Sequence, residues 1–226
     1  MKALSNNQLK LIALGSMTVD HIGMVLFPQL QWMRILGRLA FPIFAYMIAE
    51  GCRHTRNLDR YFATMALFAL VCQAVDFLAR GSLYMRILVT FTLSISLVWL
   101  FKKAEKTKNH LWTALLVLWL VAVNFICAQL PQLLPGTDFS VDYGFIGVLI
   151  PFALTLVKGK SNQLIILSVL LAALSLGSVQ IQWFCLLAVP LLWLYNGQRG
   201  KWKLKWLFYI YYPLHLVVIY FISFLL

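Results

Sequence analysis

The sequence predicts an all-α fold: a polytopic integral membrane helix bundle of about nine transmembrane helices (eight to ten), in a single domain over residues 1–226. Three observations carry this. Of the residues, 62% are hydrophobic and only 12% charged, where a soluble domain has roughly 45–50% and about 25%. The apolar runs are long and unbroken, unlike the short alternating segments of a transmembrane barrel, and in lipid a helix satisfies its own backbone. The cations gather between the runs, as topology and anionic lipid require. That placement accounts for the net charge of +12 without a nucleic-acid partner.

The first segment is predicted over Leu9–Phe27, with Asp20 and His21 inside it. At about 1.5 Å per residue, His21 lies roughly 18 Å along the run, past mid-depth of a ~30 Å hydrocarbon core. An ionisable pair there marks a functional site by default. The run is too long for a signal sequence and is expected to be retained. The second segment, Met33–Ala49, carries Arg34 and Arg38 four residues apart on one face. Pro42 is expected to kink it and free the Arg38 carbonyl. Snorkelling of the arginines to headgroups is the plain alternative. Glu50 and Gly51 end the segment, and His54-Thr55-Arg56-Asn57 follows.

The third segment, Tyr61–Ala79, closes on Gln73, Asp76 and Arg80, which share a face and suit an Asp76–Arg80 pair. The fourth and fifth, Leu83–Phe101 and Leu111–Leu130, read as scaffold, with Thr90, Thr92, Ser94 and Ser96 as interhelical hydrogen-bonders. The sixth, Tyr143–Val157, follows Asp142, whose default role is a helix cap. Gly144 and Gly147 are expected to allow close helix contact. The seventh and eighth, Leu164–Leu176 and Gln180–Tyr195, meet at Gly177-Ser178, either a hairpin or a kink in one element. The ninth, Trp206–Leu226, holds Tyr211, Tyr212, Pro213 and His215.

Basic stretches alternate with non-basic ones: Lys2 and Lys10, Arg53–Arg60, Lys102–Lys108, Lys158 and Lys160, then Arg199, Lys201, Lys203 and Lys205. This places the N-terminus in the cytoplasm and the C-terminus outside, with Arg80 and Arg86 as exceptions. Asp20 and His21 then lean toward the outer half of the membrane.

A histidine beside an acid can serve as a general base. Adjacent helical side chains diverge by about 100°, so Asp20 is expected to pair with Arg34 or Arg38 and not with His21. The cationic loops suit a phosphorylated donor. The set permits acyl transfer from a soluble phosphorylated thioester, and equally a proton-coupled transporter with a His/Asp/Arg relay. A scaffold protein gives no reason for charge at 20, 21, 38 and 215. No metal is expected: Cys52, Cys72, Cys127 and Cys185 lack ligand spacing, and no His-Glu-x-x-His, phosphate loop or nucleophile elbow occurs.

Several blocks resemble the TraX family. They are Val19-Asp20-His21-Ile22-Gly23, Gly37-Arg38 through Ala45, Ala49-Glu50-Gly51, and His54-Thr55-Arg56-Asn57. Asp142-Tyr143-Gly144 with Gly147, Asn196-Gly197-x-Arg199-Gly200, and Phe208-Tyr209 through His215 complete the set. That family takes its name from the pilin N-acetylase of conjugative plasmids and is similar to the wider transmembrane acyltransferases. The resemblance implies a bacterial inner-membrane acetyltransferase, with acetyl-CoA as the cytoplasmic donor and an acceptor amine or hydroxyl reached from the other face. It implies a catalytic histidine on an early helix, matched by His21, with Asp20 and Arg38 fixing the site. His54, Thr55, Arg56, Asn57 and Arg199 are the expected donor-binding residues. Arg34, Glu50, Tyr143, Tyr212 and His215 are expected to line the cavity. The implied partners are membrane lipid, a pilin-like protein or envelope glycan as acceptor, and a second copy of the chain.

Overall fold

The computed structural model describes residues 3–200 and 205–225. Lys2, Lys201 and Lys203 of the basic pattern, and Leu226 of the ninth predicted segment, lie outside them. The described residues are helical, with only two isolated bridge pairs, Leu4–Tyr195 and Met85–Val141. In order they form α1 (Asn6–Val25), α2 (Gln31–Gly37), α3 (Ala40–His54), α4 (Leu58–Arg80), α5 (Ile87–Thr107) and α6 (His110–Asn124). A π-turn (Phe125–Gln129), α7 (Leu130–Leu133), α8 (Gly144–Leu156) and α9 (Lys160–Leu176) follow. A 3₁₀ segment (Gln180–Leu187), α10 (Ala188–Trp193) and α11 (Lys205–Leu225) complete the chain.

Four helical stretches are long and apolar enough to cross a membrane: Gln31–His54, Leu58–Arg80, Ile87–Thr107 and His110–Leu133. Four shorter apolar helices are Gly144–Leu156, Lys160–Leu176, Gln180–Trp193 and Ile210–Leu225. The outward faces of α4 and α6 are apolar, with Leu70, Val75 and Leu78 exposed on one and Leu111, Leu118 and Val121 on the other. Exposed leucines and valines of this density suit lipid better than water.

The predicted kink at Pro42 is instead a break. Arg38 and Leu39 form a turn, and Pro42 falls in the first turn of α3, where a missing N–H leaves no helical bond unmade. The fifth predicted segment runs on to Leu133, and its last turns widen into the π-turn just before Pro131. A proline there removes one N–H from the ladder, and the wider turn accommodates it. At Gly177-Ser178 there are two elements, α9 and the 3₁₀ segment; the predicted eighth helix is only α10 in its second half.

The chain divides into two compact units, Met1–Met47 with Lys158–Leu226, and Ile48–Val157, with the boundary inside α3. In the first unit, Ser5 opens α1 with a capping box, its side chain accepting from Gln8 N while Gln8 Oε1 accepts from Ser5 N at 2.9 Å. Helices α1 and α2 pack as an antiparallel pair, with Met33 opposite Gly23 and Asp20 opposite Gly37. Leu14, Met17 and Ala40 are buried together under Phe44, Tyr211 and Tyr212. The chain before α1 is pinned by residues 194–199: Leu4 N donates to Leu194 O at 3.0 Å and Asn6 N to Gln198 O at 2.8 Å.

In the second unit, α4, α6 and α8 pack on α5. Three of the four predicted hydrogen-bonders cross between elements. Thr90 Oγ1 donates to Asp142 O at 2.7 Å, Ser94 Oγ to Val148 O at 2.6 Å, and Trp119 Nε1 to Ser96 Oγ at 2.7 Å. Thr92 instead donates to Leu88 O on its own helix. Asp76 pairs with Arg80 as expected, and also with Arg86 at 3.1 Å. Asp142 does not cap α8. Tyr143 holds that position at φ 60°, and the Asp142 carboxylate accepts from Tyr84 Oη at 2.9 Å. With Tyr143 in the left-handed region, no side-chain cap forms.

Candidate active site

The polar residues of α1 are divided between two neighbours. Asp20 faces α2. Arg38 Nη2 donates to both of its carboxylate oxygens, at 2.9 and 3.0 Å, and Arg34 Nη1 lies 2.9 Å from Oδ2. Arg34 Nη1 also donates to the Asp20 carbonyl at 3.2 Å. This contact exists because residue 37 is glycine: a Cβ there would overlap Oδ1, Cβ and Cγ of Asp20. Arg38 is held further by donating from Nε to Arg34 O at 3.3 Å and from Nη1 to Gln182 Oε1 at 3.2 Å.

Asp20 is the only acid in the stretches 1–47 and 158–226. One carboxylate therefore faces two guanidiniums, and cationic side chains outnumber acidic ones in the cluster. A half-buried excess cation favours an anion, or charge that develops as negative during a reaction.

His21 faces α11. Its Nδ1 lies 3.1 Å from Nε2 of the buried His215, whose Nδ1 lies 2.9 Å from the Tyr211 carbonyl. Tyr211 stacks on the His215 ring at 5.3 Å with planes 5° apart, and Tyr212 meets it nearly edge-on at 5.9 Å. Below this pair, Thr18 Oγ1 donates to Leu14 O at 2.8 Å and accepts from Tyr211 Oη at 2.6 Å. The contacts rise together, 18 with 211 and 21 with 215, so α1 and α11 run parallel. Asp20 and Arg34 lie within electrostatic reach of the His21 ring.

A family model described as TraX protein matches residues 5–223. The chain belongs to the TraX family. It is also 24% identical to the probable fimbrial assembly protein FimC, serogroup H1, of Dichelobacter nodosus, over 94% of this chain and 93% of that one. It is 53% identical over 38 residues to protein RP591 of Rickettsia prowazekii (strain Madrid E), covering 17% of this chain and 15% of that one. No solved structure matches it.

Of the residues expected from the TraX resemblance, Asp20, His21, Arg34, Arg38, Tyr212 and His215 come together in the first unit. Arg199 is also in that unit, where its carbonyl accepts from Asn7 N at 3.3 Å, near the start of α1. Gly200 follows it at φ 89°, tight against Asn7. The remaining candidates belong to the second unit. Asn57 caps α4 by accepting from Arg60 N at 2.8 Å, and Thr55 Oγ1 donates to Asn57 O at 3.2 Å. His54 Nδ1 donates to Glu50 O at 3.0 Å, and Glu50 pairs with Arg53, which also donates to Leu154 O at 2.8 Å. Thr55 and Asn57 thus shape a turn, leaving exposed His54 and Arg56 as the outward groups of that stretch. Tyr143 sits beside Gly147, with its backbone in the left-handed region.

Three participants were missed in the sequence. Gln182 holds Arg38, and its signal was a polar residue inside an apolar run. Thr18 was passed over and Tyr211 noted only as a neighbour of His215, because nothing in a spacing of 193 residues announces their bond.

Proposed function

We propose that this chain is an integral membrane acetyltransferase that moves an acetyl group from acetyl-CoA to an acceptor amine or hydroxyl. The observation that carries the proposal is an imidazole, His21, next to a carboxylate, Asp20, that two guanidiniums, Arg34 and Arg38, hold. Family membership supports the reaction, and the fimbrial assembly protein supports an acceptor of the pilin-like class. The acceptor N–H or O–H adds to the thioester carbonyl carbon, and its proton passes to His21. The negative oxygen that forms is stabilised by the excess charge of Arg34 and Arg38. The C–S bond then breaks, the carbonyl re-forms, and the proton on His21 passes to the departing thiolate. Asp20 keeps both guanidiniums in place. Exposed Arg199, in the same unit as His21, is the cation proposed to meet the donor's phosphates.

About nine spans are proposed, in the bacterial inner membrane, with the N-terminus in the cytoplasm and the C-terminus outside. The parallel course of α1 and α11 supports an odd number of crossings. The test is transfer of labelled acetyl from acetyl-CoA by the purified protein in liposomes, with a pilin-like peptide or an envelope glycan as acceptor. Transfer that requires the protein supports the proposal. If acetyl-CoA is neither bound nor consumed while a proton gradient drives solute uptake, the His21–His215 pair is a transporter's relay instead.

A further inference from the structure

The hydrogen bonds around the two histidines determine where their protons lie. A carbonyl oxygen only accepts, so His215 Nδ1, at 2.9 Å from Tyr211 O, must carry a hydrogen. A neutral imidazole has one N–H, so His215 Nε2 is a bare acceptor. It faces His21 Nδ1 at 3.1 Å, which must therefore donate. With its one hydrogen on Nδ1, His21 keeps the lone pair on Nε2. Protonated His215 would reverse the chain of bonds, but His215 is buried and the one acid of its unit is already engaged by two arginines. An uncompensated charge there is costly.

We infer that His215 is a positioning residue: it holds His21 in the Nδ1–H tautomer and so presents Nε2 as the proton acceptor. The inference rests on the acetyl-transfer reading for its consequence, but not for its geometry. Tyr211 serves the same end, because its hydroxyl is tied to Thr18 while its ring lies flat on His215 and its carbonyl orients it.

The experiment is nitrogen NMR of the full-length protein labelled with ¹⁵N-histidine in detergent, with His21→Gln used to assign the signal. The expected spectrum has His21 protonated at Nδ1 and bare at Nε2. In His215→Ala, His21 should pass to a mixture of tautomers. In His215→Gln, the amide oxygen stands where Nε2 stood, and the Nδ1–H form should return. In acetyl transfer, His215→Ala should lower kcat about 100-fold with KM for acetyl-CoA unchanged, and His215→Gln should recover to within about tenfold of wild type. An Nε2–H His21 in the wild-type protein, or an unchanged tautomer in His215→Ala, overturns the inference. The spectrum needs neither donor nor acceptor. The expected tautomers without any acetyl transfer would therefore uphold the positioning role and defeat the acetyltransferase reading.

Discussion

Gly37→Ala should dismantle the site without touching any charged group. The added Cβ would fall onto the Asp20 carboxylate, closer than at Gly23, where a Cβ would stand 2.6 Å from Met33 Cβ, already about 0.8 Å short of ordinary contact. Neither partner can yield cheaply. Asp20 is tied to Arg34 and Arg38, and α1 and α2 are packed along their length. Alanine gains about 1 kcal/mol over glycine in a helix. Overpacking costs about 1–3 kcal/mol, and breaking a buried ion pair on one side about 3–5 kcal/mol if the carboxylate is pushed off its arginines. The balance is a loss of at least about 3 kcal/mol, or a Tm lower by at least about 6–12 °C for a chain of this size. Thermal unfolding in detergent reads it, with acetyl transfer alongside. Gly15→Ala is the control: nothing lies within 4 Å of its added Cβ, so it should hold or raise Tm. A Gly37→Ala protein as stable and active as Gly15→Ala would refute the close-approach argument.

Other expectations follow from the same contacts. Arg38→Lys cannot reach both Asp20 oxygens and Gln182 with a planar fork, and should lower kcat at least about tenfold while Tm falls by only a few degrees. Asp76→Asn should lower Tm and leave KM for acetyl-CoA unchanged, since its partners are Arg80 and Arg86 within the second unit. Gly144→Ala should cost about 1–2 kcal/mol in urea titration, because its φ of 56° is in the left-handed region. The Ser82 hydroxyl and the Leu83 N–H hold the Asp138 carboxyl below the usual carboxylate range. That contribution is fully present above the unfolded pKa of about 3.9 and is lost as pH falls through the lower folded value. Hydrogen exchange at Leu83 should accelerate there, and Asp138→Asn should abolish the step.

Much of the site was legible because it follows from helix geometry. Side chains at 20 and 21 diverge, so the tie of Asp20 to Arg34 and Arg38 could be read from one helix and its neighbour. The same rule gave the Asp76–Arg80 pair, four residues apart on one helix. Arg86 was not legible as a second partner, since it reaches Asp76 only after the turn at Gly81 brings α5 back. The His21–His215 bond spans 194 residues and depends on α11 packing on α1, which no local pattern encodes. Pro42 was misread because a proline inside an apolar run signals a kink or a helix start equally well, and the Arg38-Leu39 turn decided for the start. Asp142 was read as a cap from its position, but Tyr84 claimed its carboxylate. Thr55 and Asn57 were read as ligand groups, and their side chains also build the turn into α4.

The most direct measurement of the central claim is labelled acetyl transfer by His21→Ala, compared with wild type after thermal unfolding has shown both to be folded. The variant should bind acetyl-CoA as wild type does and lose transfer by about 100-fold or more. Undiminished transfer by folded His21→Ala would contradict it.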